Sequence, residues 1–155
     1  KNRVKVYMTR ENDVDLSEGD GGNSKVQDLK RRCEMVRKIQ PDCVLSIHQN
    51  SYPEEAIHGA QVFYYEDSSE GKKLAEILQK HLVEVLDKEN HRQAKGNRTY
   101  YMLKKTEATL VIVECGFLSN NQEALLLTDE KYQNKVAKAI CSGTLEYLSS
   151  LAEKK

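Results

Sequence analysis

The stretch Leu110-Val111-Ile112-Val113-Glu114 decides the fold of this chain. Its four consecutive apolar residues, three of them β-branched, are typical of a strand covered on both faces, as in a parallel sheet. A second run, Cys43-Val44-Leu45-Ser46-Ile47, is equally short and apolar. The two runs predict core strands of an α/β protein, and each is followed directly by a residue that can carry out chemistry.

The residues before the second run predict a strand and a helix. The alternation of apolar and polar side chains from Val4 to Met8 predicts a strand. A glycine-rich loop follows, and Asn23 or Ser24 is the expected cap of a helix that ends before Pro41. The apolar positions of this helix recur at three and four residues: Val26, Leu29, Cys33, Val36 and Ile39. Strand, helix and strand predict a βαβ unit with parallel strands.

The rest of the chain continues the alternation of strands and helices. Strands are predicted at Gly59 to Tyr65 and, more weakly, at Thr99 to Leu103. A helix capped by Ser68 or Ser69 follows the first of these, and a last helix is expected from about Glu130 to Leu148. The predicted fold is a single α/β domain with a mostly parallel sheet flanked by helices on both faces.

Composition excludes several classes of protein. The 155 residues include 24 Lys+Arg and 24 Asp+Glu, so no net positive field favours nucleic acid as a partner. No apolar run approaches the roughly 20 residues of a transmembrane helix. The four cysteines lack a CxxC spacing and are interpreted as reduced, buried side chains: Cys33, Cys43, Cys115 and Cys141.

His48 and Glu114 stand out because each directly follows an apolar strand. Sites gather at the carboxyl ends of parallel strands, so neighbouring strands would bring the two side chains to one edge of the sheet. His48 could then ligate a metal, and a buried Glu114 would have a raised pKa suited to a general base. The alternatives are a histidine satisfied by backbone groups and a glutamate paired with a cation such as Arg10. The other histidines, His58, His81 and His91, are weaker candidates.

Polar residues near these strand ends are candidate substrate contacts. Ser119 and Asn120 follow Gly116 and could hydrogen-bond an amide substrate, or they could turn the chain and cap the next helix. Asn50 has a similar place two residues after His48. Arg98 could bind a substrate oxygen, although surface pairing is the commoner role of an arginine.

These motifs together resemble the zinc-dependent N-acetylmuramoyl-L-alanine amidases of bacterial cell-wall metabolism. The matching blocks run nearly from end to end: Val6-Tyr7-Met8-Thr9-Arg10, Ser46-Ile47-His48-Gln49-Asn50, and Val113-Glu114-Cys115-Gly116-Phe117-Leu118-Ser119-Asn120. The stretch from Asn97 to Leu103 looks like the sporulation branch of the family, which acts on spore-cortex peptidoglycan.

The resemblance implies hydrolysis of the amide between N-acetylmuramic acid and L-alanine of the stem peptide. It implies one Zn²⁺ with His48 as a ligand and Glu114 as the catalytic carboxylate. The remaining ligands would lie upstream of Lys1, so residues 1–155 would form the catalytic domain without its first strand and helix. It also implies action outside the cytoplasmic membrane and leaves room for an activating protein partner. The alternative is a non-catalytic module that binds peptidoglycan or a partner on a degenerate amidase scaffold.

Overall fold

The computed structural model describes residues 4–17 and 24–153. The predicted glycine-rich loop at 18–23, with Asn23, lies outside these residues. Helices and strands follow one another in the order α1 (Ser24–Ile39), β1 (Val44–Asn50), β2 (Gln61–Tyr65), α2 (Ser69–Leu86), β3 (Lys95–Asn97), α3 (Tyr101–Lys105), β4 (Leu110–Phe117), α4 (Asn121–Thr128) and α5 (Glu130–Ala152).

The described strands form one sheet in the order β1-β4-β2-β3. β1 runs parallel to β4 and β2 runs parallel to β3, whereas β2 is antiparallel to β4. The predicted mostly parallel sheet is therefore confirmed. Because β4 lies between β1 and β2, its apolar run forms the centre of the sheet.

β4 is buried on both faces, as its sequence predicts. Val111, Val113 and Cys115 join the apolar cluster that includes residues of α2 and α5. Leu110 and Ile112 point to the other face, where the cluster includes residues of α1 and α3. Helices thus flank the sheet on both faces, which confirms the predicted fold class.

The helix α2 forms as its sequence predicts. The Ser68 side chain accepts a hydrogen bond from Gly71 N, which satisfies a free amide at the start of the helix. Leu74, Leu78 and Leu82 recur every four residues and are fully buried against the sheet and α5.

The predicted strand from Val4 to Met8 was wrong. Residues 4–17 form neither helix nor strand, and the side chains of Val6 and Met8 are 71% and 62% exposed. Alternating apolar residues become a strand only when a neighbour takes up their backbone hydrogen bonds, and no described strand does so here. The expected βαβ unit is accordingly not formed, and the parallel neighbour of β1 is β4.

The predicted strand from Thr99 to Leu103 was also wrong. The strand β3 ends earlier, at Asn97, and the chain then enters α3. Asn97 causes the change, because its Oδ1 accepts hydrogen bonds from the backbone amides of Thr99 and Tyr100 and folds the chain into a turn.

The described cysteines are all free thiols, but not all are buried. Cys33 and Cys115 are buried and Cys43 is half-buried, whereas Cys141 is exposed on α5. The prediction for Cys141 was wrong because its neighbour Ile140 occupies the inward face of the helix. No helix within the described ranges has the length and apolar character that crossing a bilayer requires.

Candidate active site

The tertiary structure brings His48 and Glu114 together. The two residues are register partners on the parallel strands β1 and β4, near the carboxyl end of both. Register partners project their side chains from the same face of a sheet. The juxtaposition expected from the two strand ends is therefore present.

Glu114 is a buried carboxylate without a partner. Its exposed fraction is 8%, and its Oε2 accepts no hydrogen bond from any residue in 4–17 or 24–153. Burial raises the pKa of the Glu114 carboxyl above its usual range. The alternative of an ion pair with Arg10 is not formed among the described residues. An unpaired carboxyl with a raised pKa binds a proton more readily than an exposed one, which suits a group that accepts and releases protons.

The surroundings of His48 favour the neutral form of its imidazole. Its Nε2 and the Ser46 Oγ are 2.8 Å apart and hydrogen-bond, which fixes the plane of the ring. Desolvation by the surrounding chain lowers the pKa of His48, although the residue is exposed, and the positive charges of Arg32, Arg10 and Lys25 lower it further. The neutral imidazole is the form that binds a metal ion.

The pair His48–Glu114 fits part of a zinc site. Zinc in enzymes is usually held by three protein ligands drawn from His, Cys, Asp and Glu. The His48 imidazole matches one ligand of such a site, and the unpaired Glu114 carboxylate matches the base beside it. Over residues 4–17 and 24–153, however, no group of three or more such side chains is close enough to hold a metal.

The same edge of the sheet as Glu114 also holds the three candidate substrate contacts Asn50, Ser119 and Asn120. Each of them has a polar atom that already makes a hydrogen bond within the chain. Asn50 O accepts a hydrogen bond from Leu118 N, and Ser119 Oγ accepts one from Tyr52 N. The side chain of Asn120 caps α4. Turning and capping, one of the two roles anticipated for Ser119 and Asn120, is thus present.

Arg98 lies at the opposite end of the sheet. It directly follows β3, which ends at Asn97. Asn97 pairs with Tyr65 at the end of β2, and this end of β2 lies beside the start of β4. Four residues of β4, or about 13 Å, separate that end from Glu114. Arg98 donates to Glu66 Oε2 and Asp67 Oδ1, both at 2.8 Å, so the anticipated surface pairing is formed. Arg98 is not brought to the pair His48–Glu114.

Sequence reasoning missed Gln61, which completes the row of side chains across the sheet. Gln61 is the register partner of Glu114 on β2, opposite His48. Its Oε1 accepts from Arg92 Nη1 at 3.2 Å, and its Nε2 donates to Gln93 O at 2.9 Å. The side-chain amide is therefore fixed beside the carboxylate without hydrogen-bonding to it. No local signal points to Gln61, because its position depends on strand pairing.

Sequence reasoning also missed Glu123, which holds the end of β4. One carboxylate oxygen accepts from Phe117 N at 2.8 Å, and the other accepts from Gly59 N at 3.0 Å. Glu123 thereby ties α4 to the end of β4 and to the segment just before β2. The spacing Asn120-x-x-Glu123 resembles a capping box, which could have indicated that Glu123 starts a helix but not that it binds two distant backbone amides.

The other histidines lie away from the pair His48–Glu114. His81 Nε2 is 2.8 Å from Glu146 Oε2 and links α2 to α5. His91 is exposed in the loop after α2, and His58 is exposed and hydrogen-bonds to Arg92 through its backbone oxygen.

The family of the protein follows from comparison with known proteins. The profile of the N-acetylmuramoyl-L-alanine amidase family matches residues 1–146. The chain belongs to this family, as its motifs predicted. It is 39% identical over 147 residues to the germination-specific N-acetylmuramoyl-L-alanine amidase of Bacillus subtilis (strain 168). That similarity covers 93% of this chain and supports the sporulation and germination branch.

Solved structures show the same fold. The CwlD amidase from Clostridioides difficile, determined in complex with the GerS lipoprotein, has a TM-score of 0.88 and 38% identity, and the similarity covers 92% of this chain and 74% of that one. The catalytic domain of the amidase CwlV from Bacillus (Paenibacillus) polymyxa var. colistinus has a TM-score of 0.79 and 28% identity over 94% of this chain and 73% of that domain. The chain spans 62% of the length of the Bacillus subtilis germination-specific relative.

Proposed function

We propose that the protein hydrolyses the amide bond between N-acetylmuramic acid and the L-alanine of the stem peptide in spore-cortex peptidoglycan. The observation that carries this proposal is the buried, unpaired Glu114 carboxylate opposite His48 at the ends of two parallel strands. Membership of the amidase family and similarity to a germination-specific relative support the substrate.

Glu114 performs the proton transfers of this reaction. Its carboxylate takes a proton from the attacking water as the water oxygen forms a bond to the lactyl carbonyl carbon. The same carboxyl then gives the proton to the alanine nitrogen as the carbon–nitrogen bond breaks. The raised pKa makes the Glu114 carboxylate a stronger base toward the water, and the carboxyl formed in this way can return the proton to the leaving nitrogen.

His48 binds a zinc ion in this proposal. Its neutral ring and its hydrogen bond to Ser46 prepare it for that role. When bound, zinc polarises the carbonyl group that is attacked. A catalytic zinc is usually held by three protein ligands, of which His48 would supply one.

The location and partner of the protein belong to the same proposal. Peptidoglycan lies outside the cytoplasmic membrane, so the enzyme acts in the cell envelope. The structure of the similar CwlD amidase was determined in complex with the GerS lipoprotein, which supports an accessory protein for this chain as well.

The test uses the full-length protein, loaded with zinc, and cortex peptidoglycan. Glu114→Gln should lower the release of stem peptides with a free L-alanine amino group by about 10²–10⁴-fold while zinc per chain stays unchanged. His48→Ala should lose zinc and activity together. Glu107→Gln is the control, because Glu107 is an exposed carboxylate close in sequence to β4.

Two results would contradict the proposal. Full activity of the Glu114→Gln variant would remove the carboxylate from the reaction. A zinc-loaded wild-type protein that binds muropeptides and releases no product would indicate a binding module on the amidase scaffold.

A further inference from the structure

We propose that Tyr100 is a further substrate-binding residue of this site and that its phenol hydroxyl donates a hydrogen bond to the substrate amide held beside Glu114. The inference rests on the proposed function and deepens it. The proton transfers assigned to Glu114 and the metal binding assigned to His48 do not by themselves require a phenol at this position.

The sheet register brings Tyr100 to the face that carries Glu114. Ile112 and Glu114 are two residues apart on β4, so both project from one face. Phe63 of β2 is the register partner of Ile112. The ring of Tyr100 packs edge-on against Phe63, with ring centroids 5.5 Å apart and an interplanar angle of 65°. Tyr100 therefore packs on the face of the sheet that carries the unpaired carboxylate, against the register partner of the residue next to Glu114 on that face.

The backbone at Tyr100 is fixed from both sides. Asn97 Oδ1 accepts a hydrogen bond from Tyr100 N at 2.8 Å, and Tyr100 O accepts one from Lys104 N at 3.0 Å. With the backbone held and the ring packed on Phe63, few orientations of the phenol remain. A hydroxyl held in this way binds a ligand at a smaller cost in conformational entropy than a free side chain.

The hydroxyl of Tyr100 has no hydrogen-bond partner among the described residues, although the residue is half-buried. Among the described residues, the Tyr100 hydroxyl is not one of the buried side-chain atoms that lack a partner, so it is open to solvent and can reach a ligand. Burial and the charge of Glu114 raise the pKa of Tyr100, so the phenol remains a donor at neutral pH. Tyr100 and Glu114 thus present one donor and one acceptor on the same face.

This pair of groups matches the chemistry of an amide. A secondary amide offers a carbonyl oxygen that accepts a hydrogen bond and an N–H group that donates one. The class of ligand indicated is a muramyl peptide whose lactyl–alanine amide lies between the phenol and the carboxyl.

Tyr101→Phe gives a matched control for Tyr100→Phe. Tyr101 is the next residue, is also half-buried, and packs against the same apolar cluster. Both substitutions remove one hydroxyl and keep the ring, so a general loss of packing would affect them equally.

The experiment has an activity arm and a binding arm, both with the full-length zinc-loaded protein. The probe is a soluble disaccharide carrying a tetrapeptide stem. Tyr100→Phe should lower kcat/KM about tenfold, the loss expected for one hydrogen bond of about 1.4 kcal/mol. In the Glu114→Gln background, Tyr100→Phe should raise the Kd of the probe by a similar factor. Tyr101→Phe should change neither value by more than about twofold, and neither tyrosine substitution should change the zinc content or the Tm of the protein into which it is introduced.

Unchanged kcat/KM and Kd in the Tyr100→Phe variant would overturn the inference. Equal losses of kcat/KM in both tyrosine variants would also overturn it, and so would a loss of kcat/KM that accompanies lower zinc content. The binding arm separates this inference from the proposed function. If the wild type releases no product but Tyr100→Phe still weakens probe binding, the amidase activity fails while the role of Tyr100 in binding is retained.

Discussion

His48 and Glu114 lie side by side on the neighbouring parallel strands β1 and β4, as register partners near the carboxyl ends of both. Gln61 of β2 continues the same row on the other side of Glu114. The site is therefore built on the sheet itself, where strand pairing sets the spacing of side chains more rigidly than a loop does.

The first prediction concerns the stability cost of the unpaired carboxylate. Glu114→Gln should raise the free energy of unfolding of the zinc-free protein by about 1 kcal/mol at neutral pH, because the amide has the same shape and no buried charge. Urea denaturation after zinc removal measures this difference. The exposed Glu107→Gln variant should stay within about 0.5 kcal/mol of wild type. A less stable Glu114→Gln variant would show that the carboxylate has a stabilising partner.

The second prediction concerns Glu123 and the end of β4. Its two carboxylate oxygens accept from Phe117 N and Gly59 N. A glutamine at this position has one acceptor oxygen and turns a donor toward the second amide. Glu123→Gln should therefore destabilise the protein by about 2 kcal/mol, nearly as much as Glu123→Ala. Thermal unfolding of both variants tests this, and a Glu123→Gln variant with the wild-type Tm would disprove the two-oxygen account.

The third prediction concerns the dependence of stability on pH. The Asp28 carboxylate accepts hydrogen bonds from Arg32 Nε at 2.7 Å and Leu16 N at 2.9 Å, and these bonds, the one from Arg32 foremost, lower the pKa of Asp28 below its ordinary 3.8. A folded pKa below the unfolded one stabilises the protein above the unfolded pKa, and this contribution is lost as the pH falls through the folded pKa.

Asp28→Asn should accordingly lower the free energy of unfolding by about 1–2 kcal/mol at neutral pH, and the difference from wild type should narrow below about pH 4. Urea titrations over this range measure it, with the exposed Asp42→Asn as control. A difference that stays constant down to the acid limit would mean that the charge of Asp28 contributes nothing.

The fourth prediction concerns thiol reactivity. Cys141 is exposed, whereas burial raises the pKa of Cys43 to about 11 and that of Cys115 to about 12. Because the thiolate is the reactive form, iodoacetamide at mildly alkaline pH should label the folded protein once, at Cys141. Mass spectrometry of tryptic peptides locates the label, and Cys141→Ser should remain unlabelled. Rapid labelling of Cys115 would indicate that the core opens at β4.

The candidate site was only partly predictable. His48 and Glu114 were found because each follows an apolar run, and such a run indicates the end of a buried strand from local sequence alone. Neither Gln61 nor Tyr100 follows an apolar run of this kind. Gln61 reaches Glu114 through antiparallel pairing, and Tyr100 reaches the same face because it packs on Phe63.

The sequence by itself determined β4 through its unbroken apolar run and α2 through apolar positions that recur every three to four residues, and with them the α/β class. The reason is that burial of a whole strand, or of one face of a helix, is recorded in neighbouring positions of the sequence. Only the tertiary structure decided that Val4 to Met8 forms no strand, that β2 runs antiparallel to β4, and that Glu123 binds two backbone amides. Those outcomes depend on hydrogen-bond partners far away in the chain, which no local pattern encodes.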